Sequence, residues 1–429
     1  MEVALAYGKG RLHVELPEQN LAYVIHPPAL PPLPNPAEQL RASLASPLQS
    51  EPLRELAGQS KRIVLVIADI TRPVPYRTLL PVLLTELSVP PERLTILVAT
   101  GLHRPNSPAE LAEMLGDDVV QRYRIVNHNA HDPRQLRRVG TSSRGTEVFL
   151  NRLYLEADLR IAVGHIEPHF FAGFCGGPKF VMPGVAGAAT IRANHGARNI
   201  DHPGARYGVL QGNPIHEEIR EIALMAPPEF MVNVTLDREK RITGIFSGAL
   251  LASYEAGVEF LRETAMVTVE EPVDIVITTN SGYPLDMNLY QTVKGVAVAE
   301  EILREPGTII VASECSEGVG HGMFQKLLQE SSSPQELLQK IRSVPFYGDD
   351  QWQVQILARI LEKSTVFLYS DTLSPEEIRA CHFRPTPGIA EAVQQALADH
   401  GPRARIGVVP DGPLTVPYLK ERVKPTPKG

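Results

Sequence analysis

The chain has 429 residues, 43% of them hydrophobic, and a formal net charge of -7. That length corresponds to two or three globular domains, and the apolar share excludes a disordered polyelectrolyte. The mildly acidic balance speaks against a nucleic-acid surface, no apolar run reaches the roughly 18 residues of a bilayer span, and residues 1–17 lack a secretion signal. Three widely spaced cysteines, Cys175, Cys315 and Cys381, make neither a disulfide framework nor a zinc knuckle, so a reducing cytoplasm is the expected setting.

The chain opens on a strand pair, 3–7 and 11–16, turned at Gly8–Gly10, then a proline-rich connector over 27–36 and a helix over 37–45. From Lys61 the texture changes. Residues 63–68 form a continuous β-branched run, which marks a strand buried on both faces. A helix over 76–88, a strand over 94–99, a helix over 111–115 and strands over 123–126 and 159–163 follow. Strands alternating with helices predict a mostly parallel sheet, α/β in class. A β-ribbon over 231–236 and 242–246 and a helix over 250–265 close this part, and a polar break at 270–272 places a boundary near 269–271. The pattern then restarts with strands at 273–278, 308–312 and 365–370, and helices at 289–303, 323–330, 334–342 and 351–362. The expected domains are 1–269 and 270–429, with the strand-like run 406–409 unassigned.

In open α/β sheets, ligands bind beyond the carboxyl ends of the strands. Four such ends release polar or glycine-rich sequence: Asp69-Ile-Thr-Arg72, Thr100-Gly-Leu-His103, Gly164-His165-Ile-Glu167-Pro-His169 and Thr279-Asn280-Ser281-Gly282. Seven of the 13 histidines lie between positions 103 and 202, where an even spread would place about three. His128, His131 and His202 read as surface residues. His103, His169 and His195 lie in glycine- or proline-bearing loops beside candidate strand ends and read as functional.

The densest passage is 164–187, with six glycines in 24 residues. It is no P-loop, because Lys179 precedes Phe180 rather than a hydroxyl, and no zincin, because Glu167 is misplaced and Pro168 disrupts a helix. No G-x-G-x-x-G follows a strand, so a dinucleotide fingerprint is absent. Lys179 in such a loop suits a cofactor anchor or nucleophile, and on spacing alone a solvated or phosphate-pairing lysine equally. Asp69 and Arg72 read as a helix cap and a surface arginine, or, from their strand-end position, as a pair that holds a carboxylate or phosphate. Gln291 and Lys294 share a helix face, which is also what an amphipathic surface helix would show. Cys175 and Cys315 read as packing residues. Two other readings fit parts of the pattern: a zinc-dependent hydrolase or isomerase using His165, His169 and His195, and a non-catalytic nucleotide-binding protein.

Taken together, Asp69-x-Thr-Arg72-Pro, Gly101-x-His103-Arg-Pro, Pro168-His169-x-x-Ala-Gly-x-x-Gly-Gly-x-Lys179, Asn194-His195, Tyr290-Gln291-x-x-Lys294 and Asp350-Gln-Trp352 resemble the nickel-pincer-nucleotide lactate racemases and related 2-hydroxyacid racemases and epimerases. The resemblance implies two α/β domains with mostly parallel sheets and the active site in the cleft between them. It implies a nickel-bearing pyridinium-3,5-bisthiocarboxylic acid mononucleotide, bound covalently through Lys179 with His195 as a protein ligand to nickel. Asp69 and Arg72 would line the cofactor, and Arg72 also the substrate carboxylate. His103 and His169 would be the paired acid/base groups, while Tyr290, Gln291, Lys294 and Trp352 would bind substrate from the C-terminal domain. Maturation would require cofactor-synthesis enzymes.

The chemistry agrees with that reaction. Removing a C2 proton beside a charged carboxylate leaves a carbanion too costly for a histidine base. Loss of a hydride after deprotonation of the hydroxyl gives a flat 2-keto acid instead, and return to the other face inverts the centre. Two general bases near neutral pH meet that symmetry.

Overall fold

Ile63–Ala68 is buried at every position and lies inside a six-stranded sheet, as its apolar run demands. The computed structural model describes residues 1–26, 30–320 and 322–420. Across the sheet the strands run Ile242–Gly248, Phe230–Leu236, Leu159–His165, Ile63–Ala68, Leu94–Ala99 and Arg124–Asn127. Numbered along the chain, that order is 6-5-4-1-2-3. All neighbours are parallel except the two at the Ile242–Gly248 edge. The order is that of a doubly wound dinucleotide fold, and its winding reverses between Ile63–Ala68 and Leu159–His165. The crevice past the carboxyl ends of those two strands is therefore the expected ligand position, although the glycine fingerprint is missing.

One side chain shapes that point. Tyr76, fully buried at the start of the Tyr76–Leu87 helix, accepts the Ala68 N–H at 2.6 Å and donates to the Val163 carbonyl at 3.0 Å. Pairing of the two strands ends at Ile67 and Val163. Beyond it Ile63–Ala68 stays paired to Leu94–Ala99, while Leu159–His165 stays paired to Phe230–Leu236 as far as His165.

The chain divides into two compact units: Ala29–His195 with His202–Thr264, and Met1–Pro28 with Gly196–Asp201 and Ala265–Gly429. In the second, a wholly parallel sheet runs Arg384–Pro385, Ser364–Tyr369, Leu303–Ala312, Val273–Thr279, Ile406–Val409 and Leu21–Val24. The chain's first residues thus belong with this sheet rather than with the N-terminal one expected from sequence. Leu21–Val24 pairs with Ile406–Val409, and Val3, Leu5, Tyr7, Val14 and Leu16 pack on Ile275, Ile277 and Ile310. The same pairing gives 406–409 its home. The division at Thr264 and Ala265 lies just before the polar break at 270–272. Of the connector expected over 27–36, residues 27–29 lie outside the described residues.

The expected helix over 289–303 stops at Glu300, and the next strand begins at Leu303, five residues before its apolar run. The ribbon at 231–246 forms as expected, but its first strand also pairs with Leu159–His165 and so belongs to the main sheet. No helix among the described residues is long and apolar enough to cross a membrane.

Tyr76→Phe removes the bridging hydroxyl and leaves the Ala68 N–H and Val163 carbonyl without it. The expected cost is about 1–3 kcal/mol in urea unfolding; an unchanged midpoint and slope would show that the strands close directly on one another.

Candidate active site

Asp69 is the first residue past the central strand and is 3% exposed. Its Oδ1 accepts the Thr71 N–H at 3.0 Å and the Thr71 hydroxyl at 2.5 Å, a turn that leaves Oδ2 facing His103 Nδ1 at 2.6 Å. His103 comes from the neighbouring strand end, where Gly101 adopts φ +54° and the His103 N–H closes a turn on the Thr100 carbonyl at 2.8 Å. Burial alone would raise the Asp69 pKa. The His103 hydrogen bond and charge, the Arg72 charge and the Thr71 hydroxyl outweigh it and hold the carboxyl at about 2.

On the other side of the switch point, Pro168–His169 pairs back on Gly173–Phe174, pinching Phe170, Phe171 and Ala172 into a tight loop. The His169 Nδ1 accepts the N–H of Phe171 at 3.4 Å and of Ala172 at 3.2 Å. An accepting Nδ1 in a neutral imidazole places the proton on Nε2. Lys179 sits on the single turn Gly177–Phe180. Gly177 has φ +52°, and a Cβ there would stand 2.3 Å from the Tyr254 ring, so only glycine lets the loop lie down. His195 closes the Ala188–Asn194 helix, buried, with Nδ1 3.0 Å from Asn194 Oδ1.

Phe171 gathers these groups. Its ring meets His169 edge-on at 4.4 Å and His195 at 5.1 Å, and the Lys179 amine lies 5.6 Å from its centroid. Burial lowers the pKa of the half-buried Lys179, and the Arg72 charge adds to the effect. Burial lowers His195 to about 3, with the Lys179 charge in the same direction. The same unit thus holds an unprotonated imidazole, an amine biased toward its neutral form and an ionised carboxylate.

The sequence reading is met unevenly. Asp69, Arg72, His103, His169, Lys179 and His195 all lie in one unit, linked by the bonds, ring contacts and charge effects above. His165 ends its strand buried, with Nε2 3.3 Å from Glu167 Oε2 but outside hydrogen-bond geometry. Among the described residues no group of three or more His, Cys, Asp or Glu side chains could hold a metal ion, so the His165/His169/His195 zinc cluster is not formed. His128, expected at the surface, is 2% exposed: its Nε2 faces the Ala186 carbonyl at 2.9 Å and its Nδ1 the Asn151 amide at 2.9 Å. It ties Ala186, near the end of the glycine-rich segment, to Asn151. Phe171 was missed, because an aromatic beside a histidine carries no spacing signal of its own.

In the other unit, the strand end Thr279-Asn280-Ser281 is consumed by structure. Thr279 donates to the Pro410 carbonyl at 2.9 Å, Ser281 bonds the Asp411 carbonyl at 2.5 Å, and Asn280 accepts the Gly295 N–H at 3.0 Å. The helix Leu289–Glu300 carries Tyr290, Gln291 and Lys294 and is capped by Asn288, whose side chain accepts the Gln291 N–H at 3.0 Å. The Gln291 side-chain Oε1 is buried without a hydrogen-bond partner. Gln353, next to half-buried Trp352 on the helix Gln351–Lys363, donates to the Tyr290 carbonyl at 2.5 Å.

Residues 7–208 match the model of the lactate racemase N-terminal domain, and residues 268–416 match that of the lactate racemase C-terminal domain. The chain is 37% identical to the lactate racemase of Thermoanaerobacterium thermosaccharolyticum over 416 residues, covering 96% of this chain and 97% of that protein. It is 41% identical to the lactate racemase of Lactiplantibacillus plantarum over 379 residues, covering 87% and 89%. The solved lactate racemase apoprotein from Thermoanaerobacterium thermosaccharolyticum superimposes with a TM-score of 0.92 at 36% identity, over 97% of this chain and all of that one. A Thermotoga maritima protein at 20% identity shares the fold, with a TM-score of 0.67 over 91% of this chain and 99% of its own.

The depressed pKa of Asp69 has a stability consequence of fixed sign. Its contribution is fully present above the ordinary carboxylate value of about 3.9 and is lost as pH falls through about 2. Unfolding free energy should fall by about 2 kcal/mol on its account between roughly pH 5 and pH 1. Asp69→Asn should flatten that part of the profile. Parallel wild-type and variant curves over this range would mean that Asp69 titrates as an ordinary carboxylate.

Proposed function

The chain belongs to the lactate racemase family, and on that premise we propose that it inverts C2 of lactate or of a close 2-hydroxy acid such as malate. The observation that carries this reading is the opposite preparation of two imidazoles. His103 gives its Nδ1 proton to Asp69, so its Nε2 is the basic nitrogen. His169 accepts two backbone N–H groups at Nδ1, so its Nε2 holds the proton. One imidazole ready to accept at Nε2 and one that donates there give the resting protein the two unlike hydrogen-bonding groups that a two-face inversion can use.

The residues fit the nickel-pincer nucleotide that the family resemblance implies. With no three-ligand set among the described residues, a metal here needs a cofactor that brings its own donors. His195, unprotonated by burial, is the imidazole that would complete its coordination, and imidazole suits nickel. Lys179, biased toward the neutral amine, would attach a thiocarboxyl arm covalently. Bound there, the cofactor supplies a hydride acceptor, which makes a planar 2-keto acid accessible from the substrate.

The protein's own part is proton handling and orientation. His103 Nε2 takes the hydroxyl proton from one face, and His169 offers its Nε2–H to the substrate oxygen from the other. Arg72 pairs with the substrate carboxylate, a task for which its planar fork is suited. Tyr290, Gln291, Lys294 and Trp352 we assign to substrate binding from the resemblance; Gln291 Oε1, buried and unpartnered among the described residues, calls for a donor. A cytoplasmic setting and maturation by cofactor-synthesis enzymes complete the proposal.

On protein matured together with those enzymes, His103→Ala and His169→Ala should each lower the rate in both directions by at least about 10², with nickel retained. His195→Ala should lose the nickel, and Lys179→Ala should lose the added mass that intact mass spectrometry finds on the wild type. Normal racemisation by His169→Ala would sink the two-base assignment, and an adduct that survives Lys179→Ala would remove Lys179 as the anchor.

A further inference from the structure

Glu218 is a carboxylate buried with no ion pair among the described residues: it lies on the Pro214–Met225 helix and is 1% exposed. Its two oxygens accept from Ser142 Oγ at 2.7 Å and from the Asn194 side-chain amide at 2.8 Å. Ser142 Oγ in turn accepts the N–H of Arg144 and of Thr146, so its own proton is directed at Glu218. Oε1 therefore acts as an acceptor. Burying such a group so far from solvent is costly unless the arrangement gains something from it.

What it gains is direction. An asparagine amide has a donor edge and an acceptor edge of nearly the same shape, and only its surroundings choose between them. Asn194, fully buried, turns one edge to the Ile215 carbonyl at 3.3 Å, which can only accept, and the same edge meets Glu218 Oε2 at 2.8 Å. That edge must be the NH2. The oxygen edge then faces His195 Nδ1 at 3.0 Å and can only accept, so Nδ1 must carry the imidazole proton. The lone pair of the neutral ring is left on Nε2.

We propose that Glu218, acting through Asn194, is a positioning residue that locks His195 as the Nδ1–H tautomer and so presents Nε2 as its ligating nitrogen. The proposal rests on the reading of His195 as the nickel ligand. It extends that reading three residues outward, to Asn194, Glu218 and Ser142, none of which is a proposed ligand. Ring nitrogens opposite a metal are commonly anchored in this way, and loss of the anchor weakens metal binding.

The test reads the tautomer directly. In full-length protein labelled with 15N-histidine, long-range 1H–15N spectra report which ring nitrogen is protonated, and His195→Gln identifies the signal. Wild type should show the Nδ1–H form. Glu218→Gln, which still offers an amide oxygen to Asn194, should keep it. Glu218→Met and Asn194→Leu should let the Nε2–H form appear, the form that free imidazole side chains favour in water. A wild-type Nε2–H tautomer, or an unchanged Nδ1–H tautomer in both Glu218→Met and Asn194→Leu, overturns the proposal. After maturation, those two variants should hold nickel about 10–100-fold more weakly than wild type. Matured wild type without nickel would instead refute the ligand assignment, and the tautomer spectra would still decide the relay by themselves.

Discussion

A tyrosine hydroxyl stands where a ladder hydrogen bond between two parallel strands would otherwise run. By taking the Ala68 N–H and giving its proton to the Val163 carbonyl, Tyr76 ends the pairing of the central strands with both of those backbone groups satisfied. The break falls where the doubly wound sheet reverses direction. Asp69 follows immediately on one strand and His165 lies two residues beyond on the other. Each strand keeps its outer partner, so both ends of the chain at this point are held firmly. A site that needs groups from several strand ends at fixed spacing is thereby built on sheet rather than on mobile loop.

The electrostatics follow from what each strand end contributes. Asp69 is buried yet ionised, because two protons from Thr71 and one from His103 meet its oxygens. At Lys179 and His195 burial wins instead: it drives both toward neutrality, at Lys179 against the raising influence of Cys175 and Glu167, and a positive neighbour pushes each the same way. A carboxylate paired with one imidazole thus coexists in one unit with two groups disposed to be neutral bases, which lie against Phe171. His128 belongs to neither role: it is a buried structural imidazole, lowered to about 4 by burial and bonded on both nitrogens.

Much of this was legible in the sequence, for reasons that also explain what was not. The β-branched run at 63–68 and the polar residues after it located the central strand and its ligand-binding end, since a strand buried on both faces has one periodicity and one place to put charge. Lys179 was visible through its glycines, and His103, His169 and His195 through their loops. Tertiary pairing was invisible. Nothing local says that Leu21–Val24 crosses to Ile406–Val409, and this pairing is what moves the first residues into the second unit. The strand end at Thr279 looked like a site because its polar residues are the same types that bond a loop to itself. Glu218 gave no signal at all, for a lone glutamate on an amphipathic helix reads as solvated surface until its burial is seen.

The account stands on inversion by hydride rather than by proton removal, and isotope retention tests that most directly. Matured enzyme given lactate deuterated at C2, in ordinary water, should yield the opposite enantiomer still carrying deuterium, with a trace of the 2-keto acid recovered on acid quench. Product that has exchanged its label for solvent hydrogen, with no keto acid, would contradict the account and leave His103 and His169 as a simple two-base pair acting on a carbanion.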